Sequence, residues 1–428
     1  MRANIKRDEQ PRVVIVGGGL GGLHLAQSLR NTDFQVVLVD KNNYNQFPPL
    51  IYQVASAGLE PSNISFPFRR MFQGWKNFFF RLGEVKSIDP AENAIQTTIG
   101  TIHYKYLVLA AGATTNFFGN DNVERHTYPM KTVTEAMSLR NKIFENLERA
   151  ETEDNAERKQ ALMNIVIVGG GPSGVEIAGV LAEMKKTVIP RDYHDLDVDA
   201  MNIYLVNAGD RFLQAMDLKS SYRAENDLRE MGVNIILNKA VVDYKDKTIV
   251  LQDGNTIASE TVIWVSGIKA NAIEGIPYES VGRGNRIITD IYNKVKGMEN
   301  VFAIGDQSFV EGDGEYPNGH PQLAQVAIQQ AGNLATNIIR MEEGKELKKF
   351  RYRNLGTMAT IGRKKAVVEI GKLKFGGFAA WLLWLLVHLR SILGVKNKTV
   401  VFLNWMWNYF NYKQSLRLIL KPENKQLL

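Results

Sequence analysis

The sequence predicts an α/β fold with two related strand–turn–helix units and an amphipathic helical segment at the C-terminus. Residues 12–27 and 164–179 repeat one pattern, in which a β-branched run leads into glycines and then into apolar residues at helical spacing. The composition becomes basic and aromatic over residues 350–428. The repeat predicts the two α/β units, and the change in composition predicts a separate final segment.

Composition places the chain among large globular proteins. Its 428 residues suffice for two or three domains of about 150 residues each. With 45% hydrophobic and 23% charged residues, disordered, collagen-like and coiled-coil classes are excluded. The chain has no cysteine, which excludes disulfides, thiolate metal sites and electron transfer through a cysteine pair. No metal site is predicted.

The first repeat carries a glycine motif at Gly17, Gly19 and Gly22, directly after an apolar strand. Asp40 ends the next predicted strand, at the spacing typical of an acid that binds ribose hydroxyls. Glycines permit the tight turn and the close approach of a pyrophosphate, and the helix N-terminus attracts phosphate. This pattern predicts a Rossmann-like dinucleotide-binding domain.

The second repeat has the same motif at Gly169, Gly171 and Gly174. Two such motifs imply two dinucleotides, most simply a flavin and a nicotinamide nucleotide. Asn207 stands where an acid is expected for NADH, and Arg211 follows it. An acid would repel a 2′-phosphate and asparagine does not, so both NADH and NADPH remain open as substrates.

Further strands end in small residues. Two of them end at Gly112 and Gly267, at matching distances from the two motifs, and each glycine could let a cofactor lie against the backbone. A third strand ends at Asp306, whose carboxylate could hold flavin hydroxyls or could simply cap a helix. Between the repeats, residues 134–160 predict one long exposed helix that has one apolar face and joins two domains.

These features together resemble the two-dinucleotide-binding flavoprotein superfamily, which includes glutathione reductase and related disulfide reductases. Finer motifs resemble the type II NADH:quinone oxidoreductases, above all the Ala-Gln-Val-Ala-Ile-Gln segment at residues 324–329, which matches the AQxAxQ quinone motif of that family. Further resemblances to that family lie at residues 45–58, 171–176, 264–270 and 356–362.

The resemblance assigns the candidate site residues to two different nucleotides. FAD is expected on the first unit, and NADH, with NADPH left open, on the second. The residues that it assigns to FAD are Gly17, Gly19, Gly22, Asp40, Gly112, Asp306 and Ala324. Those that it assigns to the nicotinamide nucleotide are Gly169, Gly171, Gly174, Glu176, Asn207 and Gly267.

The resemblance also implies the reaction. Glu176 is expected to be the charged residue near the nicotinamide and the flavin, or else only a helix N-terminal acid favoured by the dipole. Gln325 and Gln329 are expected on the quinone side. Relatives that depend on redox-active cysteines are excluded, so electrons are expected to pass from the flavin to ubiquinone or menaquinone without proton pumping. Domain boundaries are expected at 1–133 and 291–349 for the FAD domain, 134–290 for the NAD(P)H domain, and 350–428 for membrane association.

The final segment predicts a peripheral membrane anchor. Residues 350–428 hold 14 Lys or Arg against 2 Asp or Glu, whereas the formal net charge of the whole chain is only +7. Phe375 to Leu389 is free of formal charge, but as a helix it spans about 22 Å, short of the roughly 30 Å hydrocarbon core. Four of the six tryptophans lie in this segment, which suits the headgroup level of a membrane.

Other interpretations of that segment and of the whole chain stay open. The apolar helices could instead pack into a dimer interface, and a homodimer is expected. Nucleic-acid binding is not expected, because long apolar runs interrupt the basic residues. The polar N-terminus lacks a signal peptide, which favours the cytoplasmic face of the inner membrane. The alternatives to a quinone reductase are an NADH-sensing flavoprotein that regulates a partner and a soluble NAD(P)H reductase for an iron–sulfur protein.

Overall fold

The computed structural model describes residues 3–5, 9–411 and 416–420, and side chains in the last helix up to Tyr409. The predicted anchor segment therefore includes residues 412–415 and 421–428, which lie outside the described part. Contacts divide the chain into two units. The first comprises residues 1–46, 66–114 and 268–354, and the second comprises residues 47–65, 115–267 and 355–428.

A five-stranded parallel sheet forms the centre of the first unit. Its strands, in chain order, are β1 (Arg12–Val16), β2 (Gln35–Asp40), β5 (Phe78–Leu82), β9 (Tyr106–Leu109) and β21 (Val301–Ala303). Their order across the sheet is β21-β9-β1-β2-β5. Val14 on the central strand pairs with Val37 on one side and Leu107 on the other. These three side chains are fully buried, as expected for the central strands of a parallel sheet.

Smaller elements complete the first unit. Helix α1 (Leu20–Ser28) packs against helix α10 (Ala324–Glu342), and α3 (Phe68–Met71) is a single turn. Strands β6 (Val85–Asp89), β7 (Ala94–Thr97) and β8 (Gly100–His103) form an antiparallel sheet, and β20 (Ile287–Thr289) pairs with β22 (Ser308–Val310). The remaining short strands are β3 (Tyr44–Gln46), β4 (Ser65–Pro67), β10 (Ala113–Thr115) and β19 (Ile268–Ala270).

The second unit repeats the parallel sheet. Its strands are β11 (Tyr128–Pro129), β12 (Ile165–Val168), β13 (Ile203–Val206), β14 (Asn234–Ile236) and β18 (Thr261–Trp264), in the order β11-β18-β12-β13-β14. Val166 pairs with Tyr204 and Val262, which matches the register pattern of the first sheet. A small antiparallel sheet, β15 (Val241–Lys245), β16 (Thr248–Leu251) and β17 (Thr256–Ala258), packs into the same apolar core.

The prediction of one long exposed helix over 134–160 is wrong. Two helices occupy this stretch, α5 (Val133–Thr152) and α6 (Ala156–Met163), because Asn155 accepts a hydrogen bond from the Arg158 backbone and starts a new helix. One face of α5 is buried, and it includes Leu139, Ile143, Phe144 and Leu147, as the predicted apolar face requires. The other helices before residue 355 are α2 (Ile51–Ala55), α4 (Asp121–His126), α7 (Pro172–Thr187), α8 (Ile189–Asp192) and α9 (Leu218–Glu230).

The C-terminal part of the second unit contains a sheet that the sequence pattern did not reveal. Strands β23 (Thr357–Gly362), β24 (Lys365–Ile370) and β25 (Leu373–Gly376) form an antiparallel sheet ahead of the predicted helices α11 (Phe378–Ser391) and α12 (Val395–Asn411). Strand β23 packs against α7, where a methyl group on Gly179 would lie 1.5 Å from the Ile361 carbonyl oxygen. No helix in the described ranges is both long and apolar enough to cross a membrane.

Candidate functional site

The first glycine loop is built from backbone contacts that leave no room for side chains at Gly17 and Gly22. Gly17 has a φ of +99°, and a methyl group there would lie 2.4 Å from the carbonyl oxygen of Ala110. A methyl group on Gly22 would lie 1.9 Å from the carbonyl oxygen of Gly17. These contacts hold the start of α1 against the ends of β1 and β9, as a tight dinucleotide-binding turn requires.

The N-terminus of α1 is open for an anionic ligand. Gly19 precedes the helix, no side chain caps the first turn, and no atom lies within 4 Å of the position that a Gly19 side chain would take. The free N–H groups and the helix dipole favour a phosphate at such a terminus. The loop therefore passes the geometric test for a pyrophosphate cradle.

Asp40 completes this loop from the end of β2. One carboxylate oxygen accepts a hydrogen bond from the Gly18 N–H (2.6 Å), and the other accepts one from the Asn42 N–H (2.7 Å). Burial raises the pKa of Asp40, and the two backbone N–H groups partly oppose that shift. The buried Asn45 donates to the Gly18 carbonyl (2.7 Å), while its own side-chain oxygen has no partner among the described residues.

Two buried glutamines that sequence analysis missed hold the other strand ends of this unit. Gln307 accepts a hydrogen bond from the Ala111 N–H (2.9 Å), next to Gly112. No atom lies within 4 Å of the position that a Gly112 side chain would take. Gln330 accepts a hydrogen bond from the Gly305 N–H (2.7 Å), and so fixes the turn that carries Asp306. The sequence could have indicated Gln330, because it directly follows Gln329, the last residue of the predicted quinone motif.

Helix α10 places the three predicted residues of the quinone motif in the first unit. Ala324 is its first residue and is exposed, and Gln325 is half-buried one position later. The Gln329 side chain donates to the Arg353 carbonyl (2.9 Å) and accepts from the Arg353 N–H (2.9 Å). Both ends of this amide are thus engaged in holding the following segment to α10.

The second glycine loop reproduces the first in the second unit. Gly169 has a φ of +122°, and a methyl group there would lie 2.6 Å from the Val265 carbonyl oxygen. A methyl group on Gly174 would lie 1.8 Å from the Gly169 carbonyl oxygen. Gly171 precedes α7, which has no side-chain cap, and no atom lies within 4 Å of its missing side chain. This loop also fits a pyrophosphate.

Asn207 takes the position in this unit that Asp40 takes in the other. Its side-chain oxygen accepts a hydrogen bond from the Gly170 N–H (3.1 Å). Its side-chain nitrogen donates to the carbonyl oxygens of Gly209 (3.3 Å) and Arg211 (2.9 Å). At the neighbouring strand end, the carbonyl oxygen of Gly267 accepts a hydrogen bond from the Asn116 N–H (3.0 Å). No carboxylate therefore stands at the end of β13.

Glu176 faces a cavity inside the second unit that sequence analysis did not predict. Burial raises the pKa of Glu176 to about 8, against a smaller opposite effect of the Thr360 backbone N–H. The cavity has a volume of about 150 Å³. Its walls come from α2, α7, β23 with the turn after it, α11 and α12, and its lining residues are Tyr52, Gln53, Ser56, Gly58, Glu176, Val180, Glu183, Thr187, Thr360, Gly362, Arg363, Trp381, Trp384, Leu385, Trp405, Asn408 and Tyr409.

The sequence matches two known families along most of its length. Residues 11–331 match the pyridine nucleotide-disulphide oxidoreductase family, and residues 354–412 match the NDH2 C-terminal domain. The type II NADH:quinone oxidoreductase NdhA of Mycobacterium tuberculosis (strain ATCC 25618 / H37Rv) is 35% identical over 412 residues, which cover 92% of this chain and 86% of the relative. The chain belongs to the type II NADH:quinone oxidoreductases. The resemblance inferred from the sequence motifs is confirmed.

Solved structures show the same fold. NDH2 from Plasmodium falciparum, determined in complex with NADH, superimposes with a TM-score of 0.88 at 18% identity, and the match covers 96% of this chain and 100% of that one. The sulfide:quinone oxidoreductase of Aquifex aeolicus gives a TM-score of 0.73 at 19% identity, with 96% of each chain covered. At these identities the likeness shows fold alone. It confirms the predicted α/β architecture with two Rossmann-like units.

Proposed function

We propose that this chain is an FAD-dependent NADH:quinone oxidoreductase that works at a membrane surface and does not pump protons. The observation that carries the proposal is the pair of glycine loops, each with an open helix N-terminus and a polar residue bonded to the loop. Membership in the type II family supplies the reaction class. The absence of cysteine excludes a disulfide relay between the two nucleotides.

The first loop is the proposed FAD site. Gly17, Gly19 and Gly22 would hold the pyrophosphate, and Asp40 would accept hydrogen bonds from ribose hydroxyls. Gly112 and Asp306 lie at the neighbouring strand ends, and Ala324 begins the helix that follows. When bound, FAD supplies a hydride acceptor that can pass on electron pairs.

The second loop is the proposed nicotinamide site. Gly169, Gly171 and Gly174 would bind the pyrophosphate of NADH, with Gly267 at the adjacent strand end. Asn207 carries no negative charge that would repel a 2′-phosphate, so the same site could also bind NADPH.

The quinone side is proposed from the family motif and the buried carboxyl. Gln325 and Gln329 are the proposed quinone-side residues, although the Gln329 amide already binds Arg353. Glu176 is proposed near the nicotinamide and the flavin as a proton-bearing group. The sequence suggested a charged residue, but a carboxyl with a pKa of about 8 is mostly protonated at neutral pH. Ubiquinone and menaquinone both suit the proposal.

The boundaries proposed for these roles are those that the sequence suggested. Residues 1–133 and 291–349 form the FAD part, residues 134–290 the nicotinamide part, and residues 350–428 the membrane part. The exposed apolar side chains of the last two helices support the membrane role. They are Phe378, Leu382, Leu386, Val387, Val395, Phe402, Leu403, Met406 and Trp407.

Basic residues accompany this apolar surface. Arg390 is exposed on α11, and Lys396 and Lys398 lie at the start of α12. Cations near anionic headgroups contribute about 1 kcal/mol each, and exposed tryptophan suits the interface. We propose a peripheral location on the cytoplasmic face of the inner membrane. We also propose a homodimer, and sedimentation in detergent is the direct test of that oligomeric state.

Steady-state kinetics with a soluble quinone test the reaction. The purified protein should be yellow and should oxidise NADH only when quinone is present. Fast flavin reduction with slow reoxidation by quinone, together with dimerisation induced by NADH, would favour the sensor alternative. Full activity and solubility after deletion of residues 370–428, with an iron–sulfur protein as acceptor, would favour the soluble reductase.

A further inference from the structure

Helix α7 presents a second carboxyl to the cavity that contains Glu176. Four residues of this helix line the cavity, Glu176, Val180, Glu183 and Thr187, and they recur at helical spacing. Seven residues are almost two full turns, so Glu176 and Glu183 share one face and lie about 10 Å apart along the axis. Neither the family motifs nor the proposed reaction assigns a role to Glu183.

The Glu183 carboxyl is held in place by the turn that follows β23. Its side chain accepts a hydrogen bond from the Arg363 backbone N–H. A methyl group on Gly362 would lie 2.9 Å from the same carboxylate oxygen, so the glycine lets the carboxyl approach the turn. Burial raises the pKa of Glu183, and the Arg363 N–H and charge oppose the shift. Like Glu176, it keeps part of its surface accessible, although it lies inside the unit.

The groups that face these carboxyls come from four other elements. Burial raises the pKa of the Tyr52 hydroxyl on α2, and the charges of both carboxylates add to that shift. Arg363, in the turn after β23, stands 4.5 Å from the ring centre of Tyr409 on α12, and Lys364 stands 5.2 Å from it. Trp381 of α11 stacks on Tyr409. Within the described residues, the carboxyls are the acidic groups that line the cavity.

The cavity can bridge the two carboxyls with water. With a volume of about 150 Å³, the cavity is large enough to hold several water molecules. A short chain of such molecules spans about 10 Å, and polar side chains such as Gln53 and Asn408 also line the space. Thr187, one turn beyond Glu183 on α7, also lines the cavity, and the adjacent Lys186 is exposed to solvent. Glu183 therefore lies between this exposed position and Glu176 along the helix.

The reaction requires one proton from solvent. Reduction of a quinone to a quinol takes two electrons and two protons, and the hydride of NADH supplies both electrons and only one proton. We propose that Glu183 is a proton-transfer residue, which takes the second proton from solvent and passes it through cavity water to Glu176, which then gives it to the quinone. Each carboxyl returns to its starting state after one turnover. The proposal rests on the proposed quinone reductase function.

Transient kinetics of the flavin-loaded protein test this role. Glu183→Gln keeps an oxygen that accepts the Arg363 N–H but cannot carry a proton. Reduction of the flavin by NADH should keep its wild-type rate, whereas reoxidation by a soluble quinone should slow at least tenfold, within the ~10²–10⁴-fold range of acid–base effects. The loss should grow as pH rises. The matched control is Glu157→Gln, on the exposed surface of α6, which should change neither step.

Chemical rescue separates proton transfer from structure. Glu183→Ala should also reoxidise slowly, and added acetate should restore much of its rate, while Glu183→Asp should retain an intermediate rate. Two results would overturn the role of Glu183. One is flavin reoxidation in Glu183→Gln at the wild-type rate at both low and high pH, and the other is a reoxidation rate in Glu183→Ala that acetate does not raise. A wild-type protein that NADH reduces but quinone never reoxidises would instead overturn the proposed function.

Discussion

The side-chain oxygen of Asn207 accepts a hydrogen bond from the backbone N–H of Gly170 at 3.1 Å. Asp40 makes the same bond to Gly18 in the other unit, at 2.6 Å. The two loops thus share one architecture but differ in charge. Because an amide can also donate, Asn207 binds two carbonyl oxygens of the following loop, which a carboxylate cannot do.

Asn207→Asp should therefore shift the preference between the nicotinamide nucleotides. The new charge repels a 2′-phosphate by about 1–4 kcal/mol at close range, so the ratio of kcat/KM for NADPH to that for NADH should fall at least tenfold. Steady-state kinetics with both nucleotides measure this ratio. Asn202→Asp, at the opposite end of β13, is the control and should leave it unchanged. An unchanged ratio in Asn207→Asp would refute the assignment.

Glu176 should make stability depend on pH. Its pKa is about 8 in the folded chain and near 4.5 when it is unperturbed, so the folded state binds a proton that the unfolded state releases between these values. The free energy of unfolding should therefore fall as pH rises through this window. Glu176→Gln removes that slope. Its advantage in thermal midpoint over the wild type should grow from about pH 4.5 and level off above pH 8, and parallel curves for the two proteins would contradict the buried assignment.

Gly179 should be required for the packing of α7 on β23. A methyl group there meets the Ile361 carbonyl oxygen at 1.5 Å, and no side-chain rotation relieves that contact. Gly179→Ala should destabilise the protein by about 3 kcal/mol. Gly332→Ala is the matched control, since it lies inside helix α10 with no atom within 4 Å, and it should stabilise by about 1 kcal/mol. Thermal unfolding that moved both midpoints the same way would be inconsistent with this packing.

The C-terminal helices should bind anionic vesicles through their exposed apolar side chains. Leu386 and Trp407 are 57% and 60% exposed. Leu386→Glu and Trp407→Glu should each reduce co-flotation with vesicles, because a carboxylate resists burial beside acyl chains. Tyr278→Glu replaces a residue of the first unit that is 92% exposed, and it should float like the wild type. Equal flotation of all four proteins would exclude this surface as the anchor.

Local signals explain what the sequence could predict. The glycine loops, the strands before them and Asp40 follow from a pattern that lies within about 30 consecutive residues. The break between α5 and α6 was missed because residues 134–160 contain no glycine or proline, and only the capping side chain of Asn155 marks it.

Long-range packing explains the rest. The cavity around Glu176 is lined by side chains from residues 52–58, 176–187, 360–363, 381–385 and 405–409. No sequence pattern predicts that these distant segments are in contact. Gln307 was equally hidden, since its two partners Ala111 and Asn271 lie far away in the chain. Sequence therefore located the two glycine loops, whereas the cavity lined by Glu176 required the structure.

The most direct test follows the flavin spectrum of the purified, flavin-loaded protein without oxygen. One equivalent of NADH should abolish the visible absorbance of the flavin, and one equivalent of quinone should then restore it with no further addition. A flavin that stays reduced after quinone is added would contradict the account.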